Sequence, residues 1–249
     1  MSELCGLSYS PWTQKARWAL EHHRISFRYV EHVPMLGEPA LRWRARRPTG
    51  KVTVPVFVTD SGPVMDSLLI AELAERHGSG PPLFPTGKRG DIGAWNAASE
   101  RALGAGRGLV VARTARNEQA KAEALPSFVP SPLRPAMTGV ASMGIAFFRW
   151  KYSLDAEGEE QRRAAIAGEL RALRAALGGR PHLLDGFTYA DIAMSVVLQL
   201  VQPASDQYWS LRPGTREAWR DPALEVDFRD LVEWRDQLFA KHRFASIEA

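Results

Sequence analysis

The pattern of this chain changes at residues 78–82, whose sequence is GSGPP. Before this segment strand-like and helix-like patterns alternate, and after it the patterns are helical. Glycine and proline at this density interrupt regular structure, so the segment marks a linker. The sequence therefore predicts an α/β domain at residues 1–79, a linker at 80–87 and an all-helical domain at 88–249.

The α/β part is predicted from short β-favouring runs that alternate with helical patterns. Strands are expected at residues 4–7, 27–32, 52–58 and 64–65. Helices are expected from Pro11, over residues 37–47 and from Ser67, with Asp66 and Ser67 as candidate caps.

The helical part shows apolar residues at helical spacing and no further strand pattern. Helices are expected at residues 95–116, 137–152, about 166–177, 188–201 and 228–241. Three features are expected to separate or interrupt them: the glycines at 104, 106 and 108, a stiff proline-rich connection at 126–135, and a loop at 202–227.

Composition is ordinary for a globular protein, at 45% hydrophobic and 24% charged residues in a chain of 249. No run of eighteen apolar residues and no signal-peptide pattern is present, so no membrane association is expected. The single cysteine, Cys5, cannot form a disulfide within the chain, which favours a cytoplasmic location. The six histidines show no ligand spacing, so no metal is expected.

The formal net charge is +4, and its densest basic cluster surrounds Trp43. The cluster contains Arg42, Arg44, Arg46 and Arg47. One interpretation is a nucleic-acid patch; the other is a solvated helix or loop near a small anionic ligand. Because no nucleic-acid-binding motif accompanies the cluster, the second interpretation is favoured and no nucleic-acid partner is expected.

The segment from Ser10 to Leu20 carries the clearest chemistry. Proline suits the first turn of a helix, so Pro11 is predicted to open one directly after the first strand. Apolar residues at helical spacing are predicted to face inward, while Lys15 is predicted to stay in solvent. A hydroxyl at Ser10 would then stand at the positive end of this helix, an arrangement that stabilises an anion.

This segment and three later motifs, in the same order, resemble those of the soluble (cytosolic) glutathione S-transferases. The motifs are Ser10-Pro11-Trp12-Thr13, Val54-Pro55, Asp66-Ser67 and Thr188-Tyr189-Ala190-Asp191. The resemblance implies a thioredoxin-like N-terminal domain that binds glutathione, followed by an all-helical domain that forms much of the second-substrate pocket. It also implies a cytoplasmic homodimer.

The first motif resembles the serine-type active-site turn of that family. By this match Ser10 is the catalytic residue that addresses the glutathione sulfur, and Trp12 lines the thiol site. Tyr9 and Thr13 are nearby hydroxyls and stay open as alternatives. Cysteine-type members carry Cys at the position of Ser10, so thiol exchange is not expected.

The second and third motifs imply the glutathione-binding residues. Pro55 is cis by the resemblance, which turns the backbone of Val54 toward the ligand. Lys51 belongs to a Gly-Lys-Val sequence that family members place directly before this proline, whereas Thr53 and Val54 intervene here. Asp66 and Ser67 resemble the pair that holds the γ-glutamyl end, and a plain helix cap is the alternative.

The fourth motif, at residues 188–191, resembles a capping box and is predicted to be structural. The function expected from the resemblance is detoxification by a transferase: the glutathione thiol is ionised and attacks a small hydrophobic electrophile. One alternative is a non-catalytic scaffold of the same fold that binds glutathione or another ligand. Another is a glutathione-dependent isomerase, peroxidase or etherase.

Overall fold

A computed structural model describes residues 2–125, 129–134, 137–154 and 158–243. Within these residues four short strands form one mixed sheet in the order β2-β1-β3-β4. The strands are β1 (Glu3–Gly6), β2 (Arg28–Glu31), β3 (Val56–Thr59) and β4 (Gly62–Met65). β1 pairs in parallel with β2 and antiparallel with β3, and β3 pairs antiparallel with β4.

Three helices cover the two faces of this sheet: α1 (Pro11–His22), α2 (Glu38–Arg44) and α3 (Ser67–His77). Because side chains alternate along a strand, paired Leu4 and Phe57 face one side, and Cys5 and Val56 face the other. The first pair packs with residues of α1 and α3. The second pair packs with Leu41 of α2.

The strand register gathers four chain segments at one end of the sheet, which we call the Gly6 edge. Gly6 ends β1 opposite Glu31, which ends β2. Val56 begins β3 and pairs with both Cys5 of β1 and Met65, the last residue of β4. The segments after β1, β2 and β4 and the segment before β3 therefore meet at this edge, and α1 and α3 both begin there.

The rest of the described chain is helical. Its α-helices are α4 (Arg89–Arg116), α5 (Glu118–Glu123), α6 (Thr138–Tyr152), α7 (Glu159–Leu177), α8 (Tyr189–Ser195), α9 (Pro213–Trp219), α10 (Pro222–Asp227) and α11 (Arg229–His242). Two 3-10 segments accompany them, at Ser131–Leu133 and Val196–Leu200. The predicted order of an α/β part followed by a helical part is confirmed.

Several local predictions were wrong. The glycines at 104, 106 and 108 do not interrupt α4, which runs unbroken for 28 residues. The predicted loop at 202–227 contains α9 and α10, because proline opens each of these short helices at its first position. In the proline-rich connection, residues 126–128 and 135–136 lie outside the described residues, and a 3-10 turn lies between them.

The chain divides into two compact units, and the first is not continuous in sequence. It comprises Met1–Ala97, Arg180–Val196 and Leu238–Ala245. The second includes Ala98–Gly179 and Val197–Gln237. No helix in the described part of the chain has the length and apolar character needed to cross a membrane.

Candidate functional site

Ser10 is the N-cap residue of α1 at the Gly6 edge. Its backbone N–H donates to the Leu7 carbonyl (2.9 Å), and its own carbonyl accepts the Gln14 N–H (3.0 Å). The side chain is 8% exposed and makes no capping hydrogen bond to the helix. The backbone of Ser10 is therefore fixed, while its hydroxyl is not used to cap α1.

Neighbouring side chains hold the loop between β1 and α1 in one conformation. Thr13 is fully buried, and its Oγ1 accepts the Leu7 N–H (3.2 Å). The Gln14 amide donates to the Ser8 carbonyl (2.6 Å), and the Glu31 carboxylate accepts the Ser8 N–H (3.1 Å). Three backbone groups of the loop that precedes Ser10 are therefore hydrogen-bonded to side chains.

Glu31 is a residue of this edge that the sequence did not reveal. Its carboxylate accepts the Tyr29 hydroxyl (2.8 Å) as well as the Ser8 N–H. Surrounding protein atoms desolvate the carboxylate and raise its pKa, against the opposing effect of these hydrogen bonds. Burial, followed by the nearby Glu31 charge, raises the pKa of Tyr29 as well. Only the pairing of Gly6 with Glu31 brings β2 to the loop, and local sequence carries no information on that pairing.

The prediction that Lys15 stays in solvent was wrong. Lys15 is fully buried, and its ammonium donates to Oδ1 of Asn96 (3.1 Å). The guanidinium of Arg243 likewise donates to Oε1 of Gln14. Burial lowers the pKa of Arg243 to about 10, so this group stays charged at neutral pH. The buried side of α1 therefore includes the Lys15 ammonium and contacts the Arg243 guanidinium, whereas the sequence pattern assigned this side to apolar residues.

The Val54–Pro55 peptide bond is cis, and Pro55 immediately precedes β3 at the Gly6 edge. Pro55 is buried and Val54 is half-buried. Lys51 is exposed in the segment between α2 and β3. That segment is held to α2 by Arg42, whose guanidinium donates to the Gly50 carbonyl (2.9 Å).

Asp66 connects β4 to α3 and caps that helix. Both capping bonds end on Oδ1, from the N–H groups of Leu68 (2.8 Å) and Leu69 (3.3 Å). The backbone of Asp66 has a φ of 79°. Residues other than glycine rarely adopt this backbone conformation, and where they do they occur preferentially at functional sites. Ser67 is 2% exposed at the first position of the helix. The cap is shown, and the ligand-binding role stays a prediction.

The Gly6 edge brings together most of the predicted site residues. Ser10, Pro55, Asp66 and Ser67 all lie at the strand ends that form it, and Trp12 follows in the first turn of α1. Two helix N-termini point their N–H groups here, which favours anionic groups, while the Asp66 carboxylate favours a cation. Such an edge suits a zwitterionic ligand. Among the described residues, no group of three histidine, cysteine or acidic side chains is placed to hold a metal ion.

Residues 4–82 match the family model for the N-terminal domain of glutathione S-transferases. No curated protein matches the sequence. A solved glutathione S-transferase of Methylobacterium radiotolerans, in complex with glutathione sulfonate, is 21% identical and covers 100% of this chain and 97% of its own, with a TM-score of 0.61.

Two further solved structures give the same result. A glutathione transferase of Phanerochaete chrysosporium is 18% identical, with 98% of this chain and 99% of that chain covered and a TM-score of 0.65. A glutathione S-transferase of Methylobacillus flagellatus, with GSH bound, is 17% identical, with 98% and 97% covered and a TM-score of 0.57. At these identities the structures establish the fold along nearly the whole chain.

The sequence match includes the residues that form the Gly6 edge, from Ser10 through Pro55 to Ser67. The predicted thioredoxin-like domain followed by an all-helical part is confirmed by the sheet, the helices and the solved structures. Residues 4–82 match the model for the N-terminal domain of glutathione S-transferases, and the chain has the fold of the solved glutathione S-transferases.

Proposed function

We propose that this protein is a glutathione transferase that binds glutathione at the Gly6 edge and ionises its thiol through Ser10. The observation that supports this most is the state of Ser10. Its backbone is fixed by two hydrogen bonds, its hydroxyl does not cap α1, and the N–H end of that helix begins directly behind it. A donor and a helix dipole therefore converge where a thiolate would sit.

The other edge residues complement the charges of the tripeptide. Asp66 caps α3 through Oδ1, which leaves Oδ2 to accept from the γ-glutamyl ammonium. Ser67 and the N-terminus of α3 suit the adjacent carboxylate. The backbone of Val54, turned at the cis peptide bond, pairs with the cysteinyl backbone, and Lys51 supplies a cation for a carboxylate.

The required stabilisation is within reach of these groups. A thiol with a pKa of about 8.5 is only about 3% thiolate at pH 7. Lowering that pKa to about 6.5 requires roughly 2.7 kcal/mol of preferential stabilisation of the thiolate. A hydrogen bond to a charged group contributes about 1.5–3 kcal/mol, and a helix N-terminus contributes about 0.3–1 kcal/mol. Ser10 and α1 together are sufficient, and no metal is needed.

The reaction is nucleophilic substitution or addition by the thiolate. The sulfur lone pair forms a bond to an electrophilic carbon of a hydrophobic substrate. In a substitution the leaving group departs with its bonding electrons, and the product is a thioether of glutathione. The thiol proton passes to solvent before attack, so the protein needs to stabilise the anion and does not need a permanent base.

The two alternative hydroxyls differ from Ser10 in their surroundings. Thr13 is fully buried and its Oγ1 already accepts the Leu7 N–H, so we assign it the role of stabilising the β1–α1 loop. Tyr9 is half-buried in the same loop and does not begin the helix. Ser10 combines the N-cap position with a hydroxyl that is not used in capping.

The proposal is tested with the Ser10→Ala variant and chlorodinitrobenzene as the electrophile. We expect kcat/KM at pH 6.5 to fall by about 10- to 100-fold, because loss of a hydrogen bond to a charged group costs about 1.5–3 kcal/mol. The Kd for glutathione, measured by calorimetry, should change less than about threefold, since the charged ends of the tripeptide keep their partners.

Ser8→Ala is the matched control, because Ser8 is an exposed hydroxyl of the same loop and bonds Glu31 (3.4 Å). It should retain wild-type turnover. Unchanged turnover in Ser10→Ala would contradict the assignment of Ser10. Glutathione binding without turnover in the wild-type chain would instead favour a non-catalytic binding protein. A homodimer, a cytoplasmic location and the identity of the electrophile stay predictions from the resemblance.

A further inference from the structure

A basic groove lies at the end of the sheet opposite to the Gly6 edge. Its floor includes Glu3 and Val58, which pair across β1 and β3, whereas Gly6 ends β1 at the other side. Its wall is α2 and the segment after it, including the arginine cluster around Trp43 that was recognised in the sequence. The groove is open to solvent and has a volume of about 780 Å³. None of the residues proposed to bind glutathione lines it.

The groove carries a strong excess of positive charge. Arg42, Arg44, Arg46 and Arg47 all line it, and Glu3 is its one acidic lining residue. The Glu3 carboxylate is already bonded to Arg28, which lies outside the lining, and lies 3.5 Å from Arg44. These arginines, Arg28 first, lower the pKa of Glu3. Arg28 and Arg44 therefore neutralise the Glu3 carboxylate, and the positive charges of Arg42, Arg46 and Arg47 remain.

These remaining guanidinium groups are available to a ligand. Within the described residues no carboxylate forms an ion pair with Arg46 or Arg47, and both residues are exposed. Arg42 donates to the Gly50 carbonyl (2.9 Å), which fixes the position of its planar group. Arginine presents five donors in a plane, a geometry that matches phosphate oxygens.

Trp43 adds an aromatic surface to the same groove. Its side chain is 80% exposed, the second highest exposure among the large hydrophobic residues of the described chain. An indole in solvent beside unpaired guanidinium groups offers a planar ring to stack on, and arginine stacks on aromatic rings as well. Together these groups recognise a ligand that joins a flat aromatic ring to anionic oxygens.

The dimensions favour a small molecule over a nucleic-acid chain. A volume of about 780 Å³ is within the range of small-ligand sites, which is roughly 300–1,000 Å³. Trp43 is the sole aromatic side chain in the lining. Proteins that bind single strands stack successive bases on several aromatic residues. The lining therefore offers one aromatic ring and one cluster of positive charges.

We propose that this groove binds a nucleoside diphosphate or triphosphate, with the base on the Trp43 indole and the phosphates on Arg42, Arg46 and Arg47. The site is independent of the proposed glutathione function. A nucleotide and glutathione would occupy opposite ends of the same sheet and bind at the same time.

Calorimetry with ADP in magnesium-free, low-salt buffer tests the proposal, with pyrophosphate and adenosine as partial ligands. ADP should bind, and added salt should weaken it because exposed charges are screened. Trp43→Ala should weaken the affinity for ADP about tenfold and leave the affinity for pyrophosphate nearly unchanged, because only the stacking contact is lost. The double variant Arg46→Gln/Arg47→Gln should weaken both ligands by about tenfold or more.

Matched controls exist elsewhere in the chain. Trp150 is 77% exposed on α6, and Arg212 is exposed before α9. Trp150→Ala and Arg212→Gln should leave ADP affinity unchanged, and thermal unfolding should show that all variants fold. Saturating glutathione and Ser10→Ala should also leave ADP affinity unchanged.

Four results would overturn the proposal: no detectable ADP binding, equal ADP affinity in Trp43→Ala and wild type, competition between ADP and glutathione, or much tighter binding of a single-stranded RNA decamer than of ADP. The third would move the nucleotide to the Gly6 edge. The fourth would make the groove a nucleic-acid surface.

Discussion

At the residue scale, hydroxyls three positions apart have different surroundings. Ser10 and Thr13 both lie near the start of α1, and the sequence alone left either of them open as the thiol partner. The fold separates them, because Thr13 lies beneath Gly6 and bonds the buried Leu7 N–H, whereas the Ser10 hydroxyl makes no cap. A side chain attached to Gly6 would overlap Thr13, so the loop depends on this close approach.

The role of Thr13 predicts a loss of stability rather than of thiol activation. Thr13→Val keeps the shape but leaves the buried Leu7 N–H without its acceptor, which should lower the free energy of unfolding by about 1–3 kcal/mol. Thr13→Ser retains the oxygen and should recover part of that loss. Urea unfolding measures both. Equal stability of Thr13→Val and wild type would show that the hydrogen bond to Leu7 does not hold the loop.

Burial of charged side chains is where prediction from local sequence failed. Lys15 follows the helical periodicity of an exposed residue, yet it is fully buried with Asn96 as its acceptor. Asn96 is 81 positions away. Glu31 and Arg243 escaped notice for the same reason, because each partners the β1–α1 segment from a distant part of the chain. Their positions depend on tertiary pairing, which periodicity does not encode.

At the element scale, the order of strands and helices followed from local sequence, while the ends and interruptions did not. Alternation, proline at helix starts and turn residues correctly gave the four strands and the helices between them. The glycines of α4 were expected to interrupt the helix, but two of them instead allow close packing against neighbouring side chains. A Cβ at Gly106 would overlap Leu200, and one at Gly108 would overlap the guanidinium of Arg162, whereas Gly104 has open space.

Replacement by alanine is therefore predicted to have opposite effects at Gly104 and Gly106. Gly104→Ala should raise the free energy of unfolding by up to about 1 kcal/mol, because alanine is the better helix former and meets nothing. Gly106→Ala should lower it by about 1–3 kcal/mol, since buried Leu200 must move. Thermal and urea unfolding of the two variants side by side is the test. Stabilisation by both substitutions would rule out the proposed close packing at Gly106.

At the scale of the whole molecule, the first compact unit takes in two segments from late in the sequence. Trp18 of α1 donates to the His242 carbonyl (3.0 Å), and the Tyr189 N–H donates to the Leu83 carbonyl (3.0 Å). The His242 ring stacks on Phe187 with centroids 4.0 Å apart. The linker at 80–87 stays a prediction, and the return of these late segments to the first 97 residues was not predictable from local sequence.

The packing of His242 predicts a pH-dependent stability. Burial, followed by the charges of His182, Lys241 and His22, lowers the pKa of His242 to about 4. The unfolded chain takes up this proton below its ordinary pKa of 6.5, whereas the folded chain resists it until about pH 4. The stabilisation is therefore complete above pH 6.5 and is lost as the pH falls toward 4.

The measurement is the unfolding temperature at pH 7, 6 and 5 in low salt. Wild type should become less stable over this series. His242→Gln should flatten the decline without abolishing it, because burial also lowers the pKa of His23. His77→Gln, at an exposed position on α3, should behave like wild type. Parallel profiles for His242→Gln and wild type would remove His242 as the cause.

The most direct test of thiol activation by Ser10 is to measure the pKa of glutathione bound to the intact protein. The ultraviolet absorbance of the thiolate is followed against pH with saturating glutathione, in wild type and in Ser10→Ala. We expect a midpoint near pH 6.5 in wild type, about two below that of the free thiol, and a return toward about 8.5 in the variant. A wild-type midpoint near 8.5, or equal midpoints in the two proteins, would contradict thiol activation by Ser10.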